Sequence, residues 1–179
     1  EGKLEINGEV LTGKTQNELA RFRSEHLGFV FQFHYLLPEF TSLDNVMIPA
    51  MKVGKYSTQE IEERAYQKLK LLGMQEHALK LSSKLSGGQQ QLVGIARAVI
   101  HKPVLLLADE PTGNLHSGQS KEIMELFREL NQPGTTIVQV THSEVNASYG
   151  NRTIQLRDGW IVSDTANPGA TQATEVQAS

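Results

Sequence analysis

The pattern of hydrophobic and polar positions changes character at Ser86. After this residue, short apolar runs alternate with stretches of helical period, a pattern typical of a parallel sheet joined by crossover helices. Beyond a first helix, the predicted elements are a buried strand at 104–109, a helix at 117–131, a strand at 135–140 and a helix at 143–150. This order of elements predicts an α/β fold.

The N-terminal part of the chain has a different mixture of elements. Residues 3–6 alternate polar and apolar positions, as a half-exposed strand does, and a polar helix is predicted over 16–26. Residues 27–32 form a strand rich in aromatic and branched side chains. Residues 33–84 are predicted to be mainly helical, so a helical region separates two groups of strands.

The C-terminal end is predicted to hold a hairpin and a tail. Asp158 and Gly159 lie between two apolar runs and have the residue types of a tight hairpin turn. Residues 165–179 are rich in small and polar side chains and have too little apolar surface to bury. We expect these last residues to be disordered.

Composition narrows the possible functions. The net charge is −3 and the isoelectric point is near 6.1, with no basic cluster, which argues against a nucleic-acid partner. The chain has no cysteine, which excludes disulfides, thiolate metal sites and cysteine nucleophiles. The longest strongly apolar run, 104–108, is far too short to span a bilayer, so any membrane role requires a partner.

Two adjacent carboxylates, Asp109 and Glu110, end the buried strand at 104–109. Ligands of parallel sheets bind beyond the carboxyl ends of the strands, which is where this pair falls. Asp109 can serve Mg²⁺, usually through water, while Glu110 can activate an attacking water. The competing interpretation is an acidic pair that only caps the following helix.

A second candidate site is the helix start at Ser86-Gly87-Gly88. Serine is a favourable N-cap, and two glycines allow an anion to approach the backbone amides closely. The aligned dipoles of the helix place about half a positive charge at this end. The combination predicts a phosphate-binding turn.

The runs LSGGQQQ at 85–91 and VLLLADEPTGNL at 104–115 together resemble the signature and Walker B motifs of ATP-binding-cassette (ABC) ATPases. The resemblance implies a P-loop NTPase-like ABC nucleotide-binding domain, with a parallel sheet core and a helical subdomain, over residues 1–164. Its implied parts are an antiparallel-subdomain remnant with the Q-loop strand at 1–32, the helical subdomain with the signature at 33–100, and part of the RecA-like core at 101–164.

The same resemblance implies roles for individual residues. Gln32 is similar to the Q-loop glutamine, which contacts Mg²⁺ or water, and His142 is similar to the switch histidine, which hydrogen-bonds the γ-phosphate. The implied catalytic residues are Glu110, His142 and Gln32, and the implied metal ligands are Asp109 and Gln32. The implied nucleotide-binding residues are Ser86, Gly87, Gly88, Gln89 and Asp109. ATP and Mg²⁺ are the implied ligands, bound between the subunits of a head-to-tail homodimer.

The segment LGFVFQFHYLLPEFTSLDNVMIPA at 27–50 looks like the lipoprotein-releasing subfamily of ABC ATPases. Relatives that serve macrolide efflux and FtsX-type permeases share DEPTGNL. The resemblance implies that Phe33–Met51 receives a permease subunit and that the protein is peripheral, on the cytoplasmic face of the bacterial inner membrane. An ordinary packed helical lobe is compatible with the same segment.

Residues 8–15 (GEVLTGKT) satisfy the P-loop pattern G-x-x-x-x-G-K-[ST]. A P-loop follows a continuously apolar strand, whereas residues 3–7 alternate, and it opens a core helix, whereas 16–26 is mostly polar. We therefore predict that this match is not a P-loop. The true loop is then expected N-terminal to residue 1, in an N-terminally truncated domain.

Two substitutions depart from the family pattern. Leu92 stands where the family has arginine, and His116 stands in the D-loop where the family has aspartate. Because of these departures, the sequence is also compatible with a non-catalytic module that docks on a permease. It is compatible as well with a small P-loop NTPase that uses Lys14, and with a non-transport ABC ATPase of the cell-division type.

Overall fold

The computed structural model describes residues 2–131 and 134–167. Its strands are β1 (Glu5–Ile6), β2 (Glu9–Val10), β3 (Leu27–Val30), β4 (Leu105–Asp109), β5 (Thr136–Val140), β6 (Arg152–Arg157) and β7 (Trp160–Ala166). Its α-helices are α1 (Gln16–His26), α2 (Ser42–Val53), α3 (Thr58–Leu71), α4 (Gly87–Ala98), α5 (Ser117–Asn131) and α6 (Glu144–Ala147). No helix in these ranges combines the length and apolar character needed to cross a membrane.

A three-stranded parallel sheet forms the centre of the fold, in the order β3-β4-β5. Leu106 of β4 pairs with Gly28 of β3 on one side and with Ile137 of β5 on the other. Parallel strands cannot be joined by tight turns, so helices connect them, as the alternating sequence pattern predicts. The predicted α/β fold with a parallel core is confirmed, and the carboxyl ends of all three strands share one edge.

Helix α4 separates two hydrophobic clusters. It packs against β3 on one side and against α2 and α3 on the other. Leu92 is partly buried and packs against both clusters, at the position where the family has arginine. The helical cluster is centred on Val46, Ile61, Ala65, Leu69 and Val93, and the sheet cluster on Val30, Ile95, Leu106, Ile123 and Phe127.

Two antiparallel hairpins flank this centre. β1 pairs with β2, and β6 pairs with β7 through a turn at Asp158-Gly159, as predicted. Both residues of this turn have positive φ, 50° and 80°, which aspartate tolerates and glycine adopts freely. The β6–β7 hairpin is largely exposed, including the Trp160 side chain.

Two predicted elements end earlier in the structure than in the sequence pattern. The strand predicted at 27–32 ends at Val30, because its last partner in β4 is Ala108. The helix predicted at 143–150 is only the four-residue α6, since poor helix formers around Ser148 and Gly150 form turns. Serine and glycine favour turn conformations over helix, and a single helical turn is all that remains.

The predicted disordered tail begins too early. Thr165 pairs with Thr153 and Ala166 pairs with Arg152, so β7 continues past the expected boundary at 164. The backbone N–H of Asn167 donates to the carbonyl oxygen of Asn151 at 2.9 Å. Cross-strand partners order these residues although their composition is polar. Residues 168–179 lie outside the described part of the chain.

Two glycines provide a matched test of the packing around α4. A Cβ on Gly28 would lie 2.5 Å from the carbonyl oxygen of Ala98, whereas a Cβ on Gly94 would meet nothing within 4 Å. We expect Gly28→Ala to destabilise the fold by about 1–3 kcal/mol through overpacking. Gly94→Ala should stabilise it by about 1 kcal/mol, because alanine is the better helix former. Denaturant unfolding measures both, and equal effects would contradict the packing described for α4.

Candidate functional site

The sheet brings three predicted site positions to one edge. Asp109 is the last residue of β4, Gln32 follows the end of β3 by two residues, and His142 follows the end of β5 by two residues. Because the strands are parallel neighbours, their carboxyl ends point to the same side of the sheet. The structure therefore gathers at one edge the polar residues that the sequence places after three separate strands.

Glu110 is held against the loop that follows β5. Its carboxylate accepts a hydrogen bond from the backbone N–H of His142 at 2.6 Å and another from the Thr141 hydroxyl at 3.2 Å. Thr141 Oγ1 in turn accepts from the Ser143 N–H at 3.1 Å. The backbone of Glu110 has φ 41°, an uncommon conformation for glutamate. These bonds fix the carboxylate in one orientation despite the unfavourable backbone.

The His142 imidazole projects into solvent. Its side chain is 98% exposed, and Nε2 lies 3.9 Å from Glu110 Oε1, beyond hydrogen-bond distance. The contact between these two residues therefore runs through the backbone of His142. Its ring stays available to a ligand at the strand ends.

Gln32 contacts the turn that follows Glu110. Its Nε2 donates to Asn114 Oδ1 at 3.4 Å, and Asn114 Nδ2 donates to the Gln32 carbonyl oxygen at 3.2 Å. A Cβ on Gly113 would lie 2.8 Å from Gln32 Nε2, so glycine permits this close approach. The amide of Gln32 thus lies beside the loop that carries the two carboxylates.

Oxygen ligands for a hard cation are present at this edge. Within residues 2–131 and 134–167, no protein group hydrogen-bonds the Asp109 carboxylate or Gln32 Oε1, and no cluster of three acidic, histidine or cysteine side chains is found. Mg²⁺ fits this donor set, because it usually takes one or two protein oxygens and completes its shell with water and phosphate.

The turn Ser86–Gln89, here called the signature turn, opens α4 through a capping box. Ser86 Oγ accepts from the Gln89 N–H at 3.3 Å, and Gln89 Oε1 accepts from the Ser86 N–H at 3.0 Å. A Cβ on Gly87 would meet nothing within 4 Å, whereas one on Gly88 would lie 2.4 Å from Gln119 Nε2, so that flexible side chain would have to move. Neither glycine has positive φ. The fold itself therefore does not require glycine at position 87, and at position 88 it excludes a Cβ unless the Gln119 side chain shifts.

The signature turn and the strand-end residues are joined indirectly. Gln91, which is 2% exposed, donates from Nε2 to the carbonyl oxygen of Pro111 at 2.6 Å. In the described part of the chain no hydrogen bond links Ser86 to Asp109, Glu110 or His142. The signature turn and the strand-end residues are therefore separate within this chain, and the buried Gln91 amide connects the elements that carry them.

Two histidines, His34 and His77, contact the signature turn. His34 Nε2 lies 2.8 Å from the Gly87 carbonyl oxygen, and the Gln89 amide lies 3.1 Å from His77 Nε2. Burial, followed by the positive charge of Arg97, lowers the pKa of His34. Sequence reasoning missed both histidines and also Gln91, because no spacing rule relates residues so far apart in the chain.

The P-loop-like stretch at 8–15 adopts a different local structure. β2 is a two-residue antiparallel strand whose side chains are exposed, and Gly8 has φ 77° in the hairpin turn. Lys14 Nζ forms an ion pair with Glu9 at 2.8 Å, and Thr15 caps α1. A buried parallel strand, from which a P-loop must emerge, does not precede this stretch in the described residues. The structure agrees with the prediction that this match is not a P-loop.

Comparisons with known proteins agree with the motifs. A family model described as ABC transporter matches residues 1–113. The lipoprotein-releasing system ATP-binding protein LolD of Aquifex aeolicus is 44% identical over 164 residues, which cover 92% of this chain and 73% of that protein. The macrolide export ATP-binding/permease protein MacB of Burkholderia pseudomallei is 42% identical over 172 residues, covering 96% of this chain and 26% of that protein.

Solved structures show the same architecture. The dimeric structure of MJ0796, a bacterial ABC transporter cassette, aligns with a TM-score of 0.84 at 38% identity, covering 94% of this chain and 75% of that chain. A dimeric post-hydrolysis state of MJ0796 bound to ADP and Pi aligns with a TM-score of 0.84 at 36% identity, with the same coverage. Fold and motifs together define a nucleotide-binding domain of the ABC ATPase class. The chain belongs to the ABC transporter family.

His116, one of the two departures, occupies the N-cap position of α5. Its carbonyl oxygen accepts from the Ser120 N–H at 2.9 Å and from the Ser120 hydroxyl at 3.1 Å. Aspartate there could accept from the first-turn amides and would complement the helix dipole. We therefore expect this departure to affect the stability of a single subunit.

We expect His116→Asp to raise the free energy of unfolding by about 1 kcal/mol, with His116→Asn giving a somewhat smaller gain because it caps without charge. His116→Ala is the matched control, since alanine cannot cap. Thermal and denaturant unfolding of the three variants gives the comparison. Equal stability of the aspartate and alanine variants would show that position 116 does not cap α5.

Proposed function

We propose that this chain is the ATP-binding and hydrolysing subunit of a transporter that powers lipoprotein release. The main support is the pairing of two features. Asp109 and Glu110 stand at the carboxyl edge of the parallel sheet, and the signature turn carries two glycines although neither needs a positive φ. A Cβ on Gly87 would meet nothing within 4 Å, and glycines without a Cβ suit a turn whose amides must be approached by a phosphate from outside the chain.

Glu110 is the proposed general base. Water attacks the γ-phosphorus, the bond to the bridging oxygen of the β-phosphate breaks, and Glu110 accepts the proton as ADP and phosphate form. Hydrogen bonds from the Thr141 hydroxyl and the His142 N–H hold the carboxylate at the strand end, which supports the proposal that it orients that water. The exposed His142 ring is proposed to hydrogen-bond the γ-phosphate.

Asp109 and Gln32 are proposed to hold Mg²⁺, partly through water. Their side-chain oxygens are the type of ligand that Mg²⁺ prefers. The ion would neutralise charge that develops on the phosphates. The contact between Gln32 and Asn114 keeps the Gln32 amide beside the carboxylates.

The signature turn is proposed to act on the nucleotide of a second subunit. Among the described residues, Ser86, Gly87, Gly88 and Gln89 are not hydrogen-bonded to Glu110 or His142 of the same chain. A head-to-tail homodimer would place each turn opposite the other subunit's strand-end residues. The dimeric MJ0796 structures support this assembly for a protein that shares the fold.

An exposed apolar surface is the proposed permease-docking region. It lies in Phe33–Met51, and its side chains include Phe33, Tyr35, Leu37, Phe40 and Met51. Large exposed apolar patches are typical of interaction sites. LolD relatives are named for lipoprotein release, which supports a permease of the lipoprotein-releasing, FtsX-like type as partner. The subunit would then be peripheral on the cytoplasmic face of the bacterial inner membrane.

The chemistry is tested with Glu110→Gln in the protein expressed from its complete reading frame. The amide keeps the shape of the side chain but cannot accept a proton, so we expect hydrolysis to fall by about 10²-fold or more. ATP should then hold the subunits together as a stable dimer. Phosphate release and size-exclusion chromatography with ATP report these two results, and near-wild-type turnover would remove Glu110 as the base.

Gly88→Ala is the matched variant for the other half of the site. Its added methyl displaces only the flexible Gln119 side chain, so unfolding should show unchanged or slightly higher stability. We expect the ATP-dependent dimer to be lost in combination with Glu110→Gln. A stable dimer in the double variant would show that the signature turn does not bind the partner's nucleotide.

Permease docking is tested with Phe33→Glu, since Phe33 is 61% exposed within the docking region. A charge at an apolar contact should weaken capture by a lipoprotein-releasing permease by about tenfold or more. Trp160→Glu is the control, because Trp160 is 77% exposed but lies on the separate β6–β7 hairpin. Co-purification of the two variants with the permease complex gives the result, and equal losses would contradict the proposed region.

A further inference from the structure

His34 connects the proposed docking region to the signature turn. Its Nε2 lies 2.8 Å from the carbonyl oxygen of Gly87, in the first turn of α4. A carbonyl oxygen only accepts, so the ring must carry its proton on Nε2 and donate it. His34 lies between Phe33 and Tyr35, whose side chains are exposed, yet its own ring is half-buried against α4.

Arg97 holds the backbone of the same loop from the other end of α4. Its guanidinium donates to the Tyr35 carbonyl oxygen at 2.8 Å and to the His34 carbonyl oxygen at 2.6 Å. Tyr35 has φ 46°, a left-handed conformation that tyrosine rarely adopts. Two charge-assisted hydrogen bonds therefore keep the loop in a backbone shape that it would otherwise leave.

We propose that His34 is a positioning residue that ties the docking region to the signature turn, with Arg97 as the anchor of the connection. The proposal rests on the proposed function, which identifies one end of this connection as the permease-docking region and the other as a phosphate-binding turn. Displacement of the exposed side chains at 33 and 35 would move the ring between them. The ring in turn moves the Gly87 carbonyl and, with it, the amides that are proposed to face phosphate.

The neutral state of His34 supports this arrangement. Burial and the neighbouring Arg97 charge lower the pKa of His34, so the neutral ring is favoured. A neutral imidazole has a single N–H, and the contact with Gly87 assigns that proton to Nε2. Arg97 donates hydrogen bonds to the backbone carbonyl oxygens of His34 and Tyr35. The His34 ring then links this loop to the signature turn.

The first experiment uses this chain without nucleotide. Nitrogen-15 spectra of the His34 ring should show a protonated Nε2 and an unprotonated Nδ1. In His34→Phe the amides of Gln89, Gln90 and Gln91 should exchange with solvent roughly two- to tenfold faster, because the turn loses one hydrogen bond. His34→Gln retains a donor and should restore part of the protection. His26→Phe is the control, since the His26 ring packs in a tilted contact with Phe22, away from the signature turn.

A protonated Nδ1 in place of Nε2, or unchanged exchange in His34→Phe, would overturn the proposal. These measurements need no ATP, so their outcome is independent of whether Glu110 is the base. In the protein from its complete reading frame, His34→Phe should lower kcat with little change in KM for ATP, and His34→Gln should recover activity. Equal losses of kcat in both variants would show that a hydrogen-bond donor at position 34 does not sustain activity, which would contradict the proposed link.

Discussion

The close crossing of α4 over β3 at Gly28 is the constraint on which the rest of the structure depends. Any side chain at Gly28 would meet the backbone carbonyl oxygen of Ala98, so the two elements can approach only because this position lacks a Cβ. The crossing sets where the first turn of α4 lies relative to the strand ends. It also joins the sheet cluster to the helical cluster, because Leu92 packs against both.

Much of this architecture is readable from the sequence. Helix α1 at Gln16–His26 and helix α5 at Ser117–Asn131 coincide with the predicted ranges, because local residue preferences and hydrophobic period agree there. The paired motifs also predicted the family. The contacts of His34 could not be predicted, since they depend on how the loop after β3 folds over α4. Element boundaries such as the end of β3 depend on the length of the partner strand. The local sequence pattern carries no information about that partner.

Two departures from local backbone preference lie at or beside the site. Among the non-glycine residues with positive φ, Asn7 and Asp158 lie in hairpin turns, where such residue types tolerate this conformation. Lys102, Glu110 and Tyr35 do not belong to those types. Lys102 lies in the turn between α4 and β4, whereas Glu110 and Tyr35 are held by hydrogen bonds from neighbouring elements. Strain that persists only because surrounding groups enforce it is a feature of functional segments. Tyr35 lies in the proposed docking region, and Glu110 is the proposed base.

Gln91 supplies the remaining connection within one subunit. Its buried amide donates to the Pro111 carbonyl oxygen, one residue beyond Glu110. Leaving the buried Gln91 amide without this acceptor would lower the stability of the fold. The second turn of α4 and the turn after β4 are therefore constrained to move together. The first turn of α4 is tied to the docking region through His34, and the second turn is tied to the base through Gln91. Helix α4 therefore connects the proposed docking region both to the signature turn and to the turn that carries the proposed base.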